Sequence, residues 1–426
     1  MGVFGLNDGL GVPGVLEGLY GRSLDSEEAK RRLARIECLE RRHFELFGCM
    51  PQAVFSTAGR TELGGNHTDH NNGKVIAGSI DLDTIAAVHE TMDYNVTLLS
   101  EGYPPVHVDI SDLSMHQDEQ GRTESLVRGM AAAIARRGGC LGGFEANTDS
   151  SIFKGSGLSS SAAIEVLLGT IFDSLFNDGR FSTTEIAIMG QEAENAYFGK
   201  PSGLMDQVAC ANGGIVGIDF KDASSPLITP LEVDFLEYGY DYIVVNTGGS
   251  HADLTCDYSS IPSEMKKVAG WFGKEVLREV PPHDFFESLE ALRKDLSNDR
   301  AVLRAYHFFR ENDCVDGMLK ALETQDFNGY LSLVRESGES SFKFLQNIYS
   351  PGCSREQGIS LAYAMAETFL GHEGAYRVQG GGFAGTIEAY VPHDRTSAFE
   401  AHMAKVFGSG CCTKLSIRNL PTMRIK

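Results

Sequence analysis

Short runs rich in β-branched residues crowd the stretch from residue 53 to residue 100, and beyond residue 260 an almost uninterrupted helical pattern replaces them. That change of texture limits the possible folds more than any other feature. The early runs are AVFSTA (53–58), KVIAGSI (74–80), TIAAVHE (84–90) and YNVTLLS (94–100), and Gly, Asn and Asp divide them as turn residues divide strands. GIVGIDF (214–220) and DYIVVN (241–246) read the same way. Helical segments then fill Ser263 to Phe344 and about Ser354 to Phe369. They are followed by strands AYRVQ (375–379) and TIEAYV (386–391), a helix near 394–406 and a last strand at 412–417. Strands first and helices later predict an α+β organisation. A chain of 426 residues is too long for one core, so two domains are expected, 1–220 and 221–426.

Several helices interrupt the first half. Ser26-Glu27-Glu28 reads as a capped helix start, with Leu33, Ile36 and Leu39 as the apolar stripe of a helix running to about Leu46. Its arginines, Arg31, Arg32, Arg35, Arg41 and Arg42, alternate with acids and read as a solvated face rather than an anion patch. The segments 126–138, 160–176 and 184–199 read as further helices.

Composition excludes several classes of function. Apolar residues at 42% and charged residues at 22% fit a globular chain and not a disordered one. Lys+Arg 37 against Asp+Glu 58 leaves a net charge of −21, which disfavours a polyanion surface, so no nucleic-acid partner is expected. A local cationic pocket stays open as an alternative. No apolar run reaches the roughly 18 residues a membrane span needs, so no membrane partner is expected. MGVFGLNDGL has no basic region ahead of an apolar stretch, and Leu6 breaks the myristoylation pattern. The nine cysteines show no CxxC spacing, which gives no support to a zinc site and predicts reduced thiols and a cytoplasmic location. The oligomeric state is not legible.

Four segments carry chemistry. In the first, Lys154-Gly155-Ser156-Gly157-Leu158-Ser159-Ser160-Ser161, small residues run directly into an apolar helix. Unpaired N–H groups, the positive end of a helix dipole and three hydroxyls make an anion site suited to phosphates, although a plain capped helix after a flexible loop fits too. The second segment, Gly59 to His70, packs Arg60, Glu62, Asn66, His67, Asp69 and His70 between strands. These groups could bind sugar hydroxyls, ligate a metal, or form a structural turn. The third is Gly203-Leu204-Met205-Asp206-Gln207, where Asp206 is either a general base or a turn residue. The fourth, Gln379 to Gly385, has three consecutive glycines that either press against another group, such as a phosphate, or form a tight hairpin.

In this order the four segments resemble the galactokinases of the GHMP kinase superfamily. GRTELGGNHTDH is similar to GRxNLIGEHTDY, KGSGLSSSAA to GGGLSSSAA, GLMDQ to GIMDQ and QGGGFAG to GGGFGG, together spanning residues 59–385. The resemblance implies a two-domain fold, an N-terminal α+β domain and a C-terminal ferredoxin-like α+β domain, with the active site in the cleft between them. It implies ATP-dependent phosphorylation of a sugar at its anomeric hydroxyl, with a small-molecule sugar and ATP as partners and Mg²⁺ as cofactor. Asp206 and Arg60 match catalytic positions. Asn66, His67, Asp69, Gly203 and Tyr258 match sugar-contacting positions, and Gly155 to Ser161 match the ATP loop. Ser160 and Glu194 match Mg²⁺ ligands, with the serine ambiguous by one place among Ser159, Ser160 and Ser161.

The departures are Glu62, Gly64, Asn66 and His70, where the family carries Asn, Ile, Glu and Tyr. Asn66 replaces a carboxylate that contacts the sugar near its C6 hydroxyl, and Asp-His in place of Asp-Tyr is similar to the galacturonokinase branch. Galactose is the first expectation and a galactose relative altered at C6, such as galacturonate, the second. A non-catalytic sugar- and ATP-binding regulator on the same fold is the third reading. The complete Ser159-Ser160-Ser161-Ala162-Ala163 stretch argues against it.

Overall fold

The structure is a computed structural model that describes residues 12–21, 26–152, 158–200, 202–249 and 254–426. Its strands are β1 (Ala53–Gly64), β2 (Lys74–Glu90), β3 (Asn95–Ser100), β4 (Val106–Asp109), β5 (Phe144–Ser150), β6 (Ile215–Asp219), β7 (Leu227–Leu231), β8 (Tyr240–Asn246), β9 (Ala375–Val378), β10 (Thr386–Pro392), β11 (Cys412–Leu415) and β12 (Met423–Arg424). The helices of the first half are α1 (Val12–Tyr20), α2 (Ser26–Phe47), α3 (Thr123–Arg136), α4 (Ser160–Phe176), α5 (Thr183–Glu192) and α6 (Met205–Asn212). Those of the second are α7 (Thr255–Trp271), α8 (Pro282–Glu287), α9 (Leu289–Leu296), α10 (Asp299–Glu323), α11 (Phe327–Ser340), α12 (Gly358–Leu370) and α13 (Thr396–Phe407). No helix among the described residues is long and apolar enough to cross a membrane.

Two sheets organise these elements. The larger runs β12-β1-β2-β5-β3-β4, with β6 and β7 added beside the first half of β2. Its pairings are antiparallel except β3 with β5. The smaller runs β11-β8-β10-β9. Its chain order, strand, helices, strand, strand, helix, strand, is that of a ferredoxin-like unit, as the resemblance implied. One face of the small sheet joins the large core through Tyr242, Val244 and Tyr390, and the other is covered by α12 and α13. Residue 220 falls between β6 and β7, which pair as neighbours, so the first sheet continues to Leu231 and takes back Met423–Arg424 from the C-terminus.

Three elements differ from expectation for physical reasons. The two runs at 74–80 and 84–90 form one 17-residue strand. Asp81 and Asp83 do not turn the chain, because each has partners inside the sheet. Asp81 accepts from the Ser416 N–H at 2.9 Å, and buried Asp83 accepts from Arg35 at 2.5 Å and Ser56 at 2.8 Å. The first half of the Gly59–His70 segment is buried strand rather than loop. FEANTDS (144–150) has a poor strand composition, yet it pairs with β2 on one side and β3 on the other, and ladder bonding outweighs its weak propensity. The helix from Ser26 forms, and the side chain of Ser26 lies outside the described residues.

Candidate active site

Asp206 sits in the first turn of α6, which packs on β1, and β1 carries Arg60. Arg60 Nε donates to Asp206 Oδ1 at 2.6 Å and Nη2 donates to Oδ2 at 2.8 Å. This is the two-pronged geometry in which a guanidinium binds a carboxylate most strongly. The arginine side chain is 7% exposed and that of the aspartate 28%, so the carboxylate faces open space while its partner is sunk behind it. Burial alone would raise the Asp206 carboxyl. The Arg60 charge and hydrogen bonds, with Ser159, outweigh it and hold the group below the usual carboxylate range.

Ser159 stands at the start of α4 with φ +55° and does not cap the helix. Its hydroxyl donates to Asp206 Oδ2 instead. The first-turn N–H groups of α4 therefore have no acceptor from the cap side chain and present the helix's positive end to an anion. Leu158 is buried, and its carbonyl accepts from the Arg60 N–H at 3.3 Å, tying the loop to β1. Lys154, Gly155, Ser156 and Gly157 lie outside the described residues.

Glu194 is buried in a single π-helical turn that continues α5. Lys200 Nζ donates to its Oε1 at 2.7 Å; Ser202 Oγ and Gln207 Nε2 donate to its Oε2 at 2.5 and 3.0 Å. The serine whose hydroxyl reaches Glu194 is Ser161, at 3.5 Å. Ser160, the expected metal ligand, is the first residue of α4, and the register of that turn points its neighbour at the carboxylate. Glu165 is fully buried on α4 and accepts from Gln207 at 2.9 Å, while its Oε1 has no partner among the described residues. Burial, then the Glu194 charge, pushes its carboxyl well up. Hard oxygens from Ser161 and Glu194, beside a buried carboxyl with an unfilled lone pair, suit a small divalent cation, and Lys200 supplies the positive charge there meanwhile. Sequence reasoning missed Lys200, Ser202, Gln207 and Glu165. The readable signal was Glu165 itself, an acid inside the apolar run AAIEVLL.

Among the expected sugar positions, Asp69 and Gly203 meet. A Cβ on Gly203 would stand 1.7 Å from Asp69 Oδ2, so only glycine permits this approach. Both line a 240 Å³ cavity with His70, Gln191, Asn195 and Lys266. His67 Nε2 donates to the Gly381 carbonyl at 2.9 Å, and burial, then His70, pushes its imidazole down to about 3, so the ring is neutral. Tyr258 OH donates to the Gly382 carbonyl at 3.0 Å, and its ring packs edge-on against Phe383. The three glycines thus close the β9–β10 hairpin and press against protein side chains.

Asn66 requires a correction. It is 0% exposed, and its amide is saturated. Its Nδ2 donates to Glu62 at 2.9 Å and to the Gly380 carbonyl at 2.7 Å, while its Oδ1 accepts from Asn347 at 2.7 Å and Ser341 at 3.3 Å. It joins the two sheets and offers no free group to a sugar.

The family described as GHMP kinases N terminal domain matches residues 125–214, and the galactokinase galactose-binding signature matches residues 41–90. A galactokinase of Streptomyces coelicolor is 31% identical over 352 residues, covering 82% of this chain and 86% of that protein. Among solved structures, Lactococcus lactis galactokinase complexed with galactose superposes with a TM-score of 0.77 at 24% identity, over 91% of this chain and 100% of that one. Methanococcus jannaschii mevalonate kinase superposes with a TM-score of 0.58 at 16% identity, over 85% of this chain and 98% of that one.

Proposed function

The chain belongs to the galactokinase family of the GHMP kinases, and on that premise we propose that it transfers the γ-phosphoryl group of ATP to the anomeric hydroxyl of galactose, giving galactose 1-phosphate. The observation that carries the reading is the Arg60–Asp206 fork standing beside Ser159 at the uncapped start of α4.

The chemistry follows from that arrangement. A sugar hydroxyl is a weak nucleophile and must lose its proton during transfer. Asp206, held as an anion by Arg60, accepts the proton through the side that solvent reaches. The Ser159 hydroxyl already donates to Asp206 Oδ2, so an alcohol O–H fits against this carboxylate. A carboxylate this well stabilised is a modest base. Most of the rate must therefore come from holding sugar and phosphate in line, with charge offset by Arg60 and the α4 N–H groups. Ser159, Ser160 and Ser161 are the phosphate-loop residues in this reading, with Gly155, Ser156 and Gly157 carried from the resemblance. Glu194 and Ser161 would hold Mg²⁺, which when bound neutralises phosphate charge. Lys200 then has to release Glu194 or share it, and its side chain, 56% exposed, is free to swing away.

The sugar sits, in this reading, between Asp206 and the cavity lined by Asp69 and Gly203, with His67 and Tyr258 closing one wall against the glycine hairpin. Of the two substitutions that suggested a C6-altered sugar, Asn66 is buried and saturated and gives galacturonate no support, while His70 lines the cavity. Nine unpaired cysteines support a reducing, cytoplasmic setting. A coupled ADP-release assay with a hexose and hexuronate panel, at fixed ATP and Mg²⁺, tests the reading. Turnover is expected with galactose. A preference for galacturonate would overturn the substrate, and ATP binding without turnover of any sugar would overturn the enzyme.

A further inference from the structure

At the end of β2 remote from the active site, three potential metal ligands converge: His43 near the C-terminus of α2, Cys49 just after it, and His89 on β2. Their ligand atoms all lie within 4.8 Å of one another. Arg60 pairs with Ser79 on β2, and His89 lies ten residues further along, roughly 33 Å away at about 3.3 Å per strand residue. The cluster is therefore separate from the catalytic groups.

The surrounding hydrogen bonds orient both imidazoles. Asn147 Nδ2 donates to the Leu39 carbonyl at 3.1 Å, which turns its Oδ1 toward His43 Nδ1 at 2.7 Å. His43 Nδ1 is thus the protonated nitrogen, and the Nε2 lone pair points at His89 Nδ1, 2.8 Å away. On its other side, His89 Nε2 lies 3.1 Å from Glu145 Oε2. Each ring has its outer nitrogen anchored by an oxygen acceptor and its inner nitrogen aimed at a shared point. This is how second-sphere groups orient metal-binding histidines. Phe47 packs against both rings, at 4.8 and 5.7 Å between centroids, and shields that point.

We propose that His43 Nε2, His89 Nδ1 and Cys49 Sγ form a binding site for a thiolate-preferring divalent cation of the zinc class, which pins the end of α2 to the C-terminal end of β2 in the large sheet. Imidazole nitrogen and thiolate sulfur are both zinc ligands, and water completes a tetrahedral set of four. Binding displaces the proton shared between the two inner nitrogens, and it displaces the Cys49 thiol proton. Tetrahedral zinc at about 2.0–2.1 Å from nitrogen places two nitrogens about 3.3 Å apart, so the rings must part by roughly half an ångström. The ligands come from positions 43, 49 and 89, which explains why no short-range spacing betrayed them.

Cobalt(II) and zinc titrations of the full, reduced, chelator-stripped protein test the proposal. One equivalent of cobalt should give a sulfur-to-metal charge-transfer band and the strong visible bands of a tetrahedral site, and zinc should abolish them. Zinc should also raise the Tm. Cys49→Ala should lose the charge-transfer band and the zinc-induced Tm rise while retaining kinase activity. Glu145→Ala, which changes only an outer partner, should weaken zinc roughly tenfold, and it serves if Cys49→Ala folds poorly. A wild-type protein without a charge-transfer band overturns the site. So does a band that survives Cys49→Ala, because another cysteine would then be the ligand.

Discussion

Several buried arginines in this molecule hold carboxylates, and two of them, Arg60 and Arg377, have opposite outcomes. Arg60 meets Asp206 with both prongs, and that acid is driven below its ordinary range. Arg377, on β9, is shared by two. Its Nη2 donates to Glu62 on β1 at 2.7 Å, and its Nη1 stands 3.7 Å from Glu388 on β10. Burial prevails there: Glu62 is pushed up despite Arg377 and Asn66, and Glu388 is pushed up to about 8. Among the described residues, Glu388 Oε1 and Arg377 Nε lack hydrogen-bond partners. One cation cannot neutralise two acids in a sealed space, so the second acid keeps its proton. An arginine beside a carboxylate therefore does not by itself make an active-site anion. A two-pronged grip and access to solvent do. The open pair is the one proposed for chemistry, and the sealed trio joins β1 to the hairpin whose carbonyls meet His67, Asn66 and Tyr258.

The largest effect should come from breaking the open pair. Asp206→Asn removes the proton acceptor and should lower kcat by roughly 10²–10⁴-fold while leaving the galactose Kd, measured by calorimetry, within a few-fold. Turnover near wild type would return Asp206 to the structural class of the sealed trio. Next comes Arg377→Leu, which leaves buried Glu62 without the cation that contacts it. It should cost about 3–5 kcal/mol in urea unfolding at neutral pH, and less on acidification as Glu62 takes a proton. A cost independent of pH would mean that Glu62 is already neutral. Smaller again is Glu194→Gln, expected to raise the Mg²⁺ concentration for half-maximal rate on the order of tenfold. Direct binding of Mn²⁺ in the absence of sugar should weaken in parallel. An unchanged metal dependence would place the ligand elsewhere.

The legibility of the sequence follows the same division. Asp206, Arg60 and the serine run were readable because they sit in short local patterns, and local patterns survive without coordinates. The two strands read at 74–80 and 84–90 were joined by Asp81 and Asp83, whose partners Ser416, Ser56 and Arg35 lie far away in the chain. Nothing local could say that those acids were satisfied inside a strand. The role of Asn66 was misread for the same reason, since its partners come from Ser341, Asn347 and Gly380. That Ser161 rather than Ser160 reaches Glu194 depends on the register of one helical turn, which a sequence fixes only to within a residue or two. The His43–Cys49–His89 cluster is nonlocal throughout.

The finest test of the comparison applies the same acid-to-amide exchange to the sealed site. Glu388 has a folded-state value of about 8 against 4.5 for the free carboxyl. The folded protein therefore binds the extra proton between those limits, and stability falls as pH rises through that window. His43, His67 and His307 shift downward from 6.5, so their contribution to stability rises with pH and is complete near neutrality. From about pH 7 to 8 the carboxyl effect stands clear of them. Glu388→Gln keeps an oxygen for the Tyr242 hydroxyl, which donates to Glu388 Oε2 at 2.6 Å, and it carries no charge to bury. At pH 7 it should change stability by less than about 1 kcal/mol. By pH 8.5 the wild type should have lost on the order of 1 kcal/mol that the variant retains, read as the difference in urea midpoints at the two pH values. Equal midpoint shifts in both proteins would mean that Glu388 is ionised throughout, and the contrast between the two arginine sites would then reduce to their exposure alone.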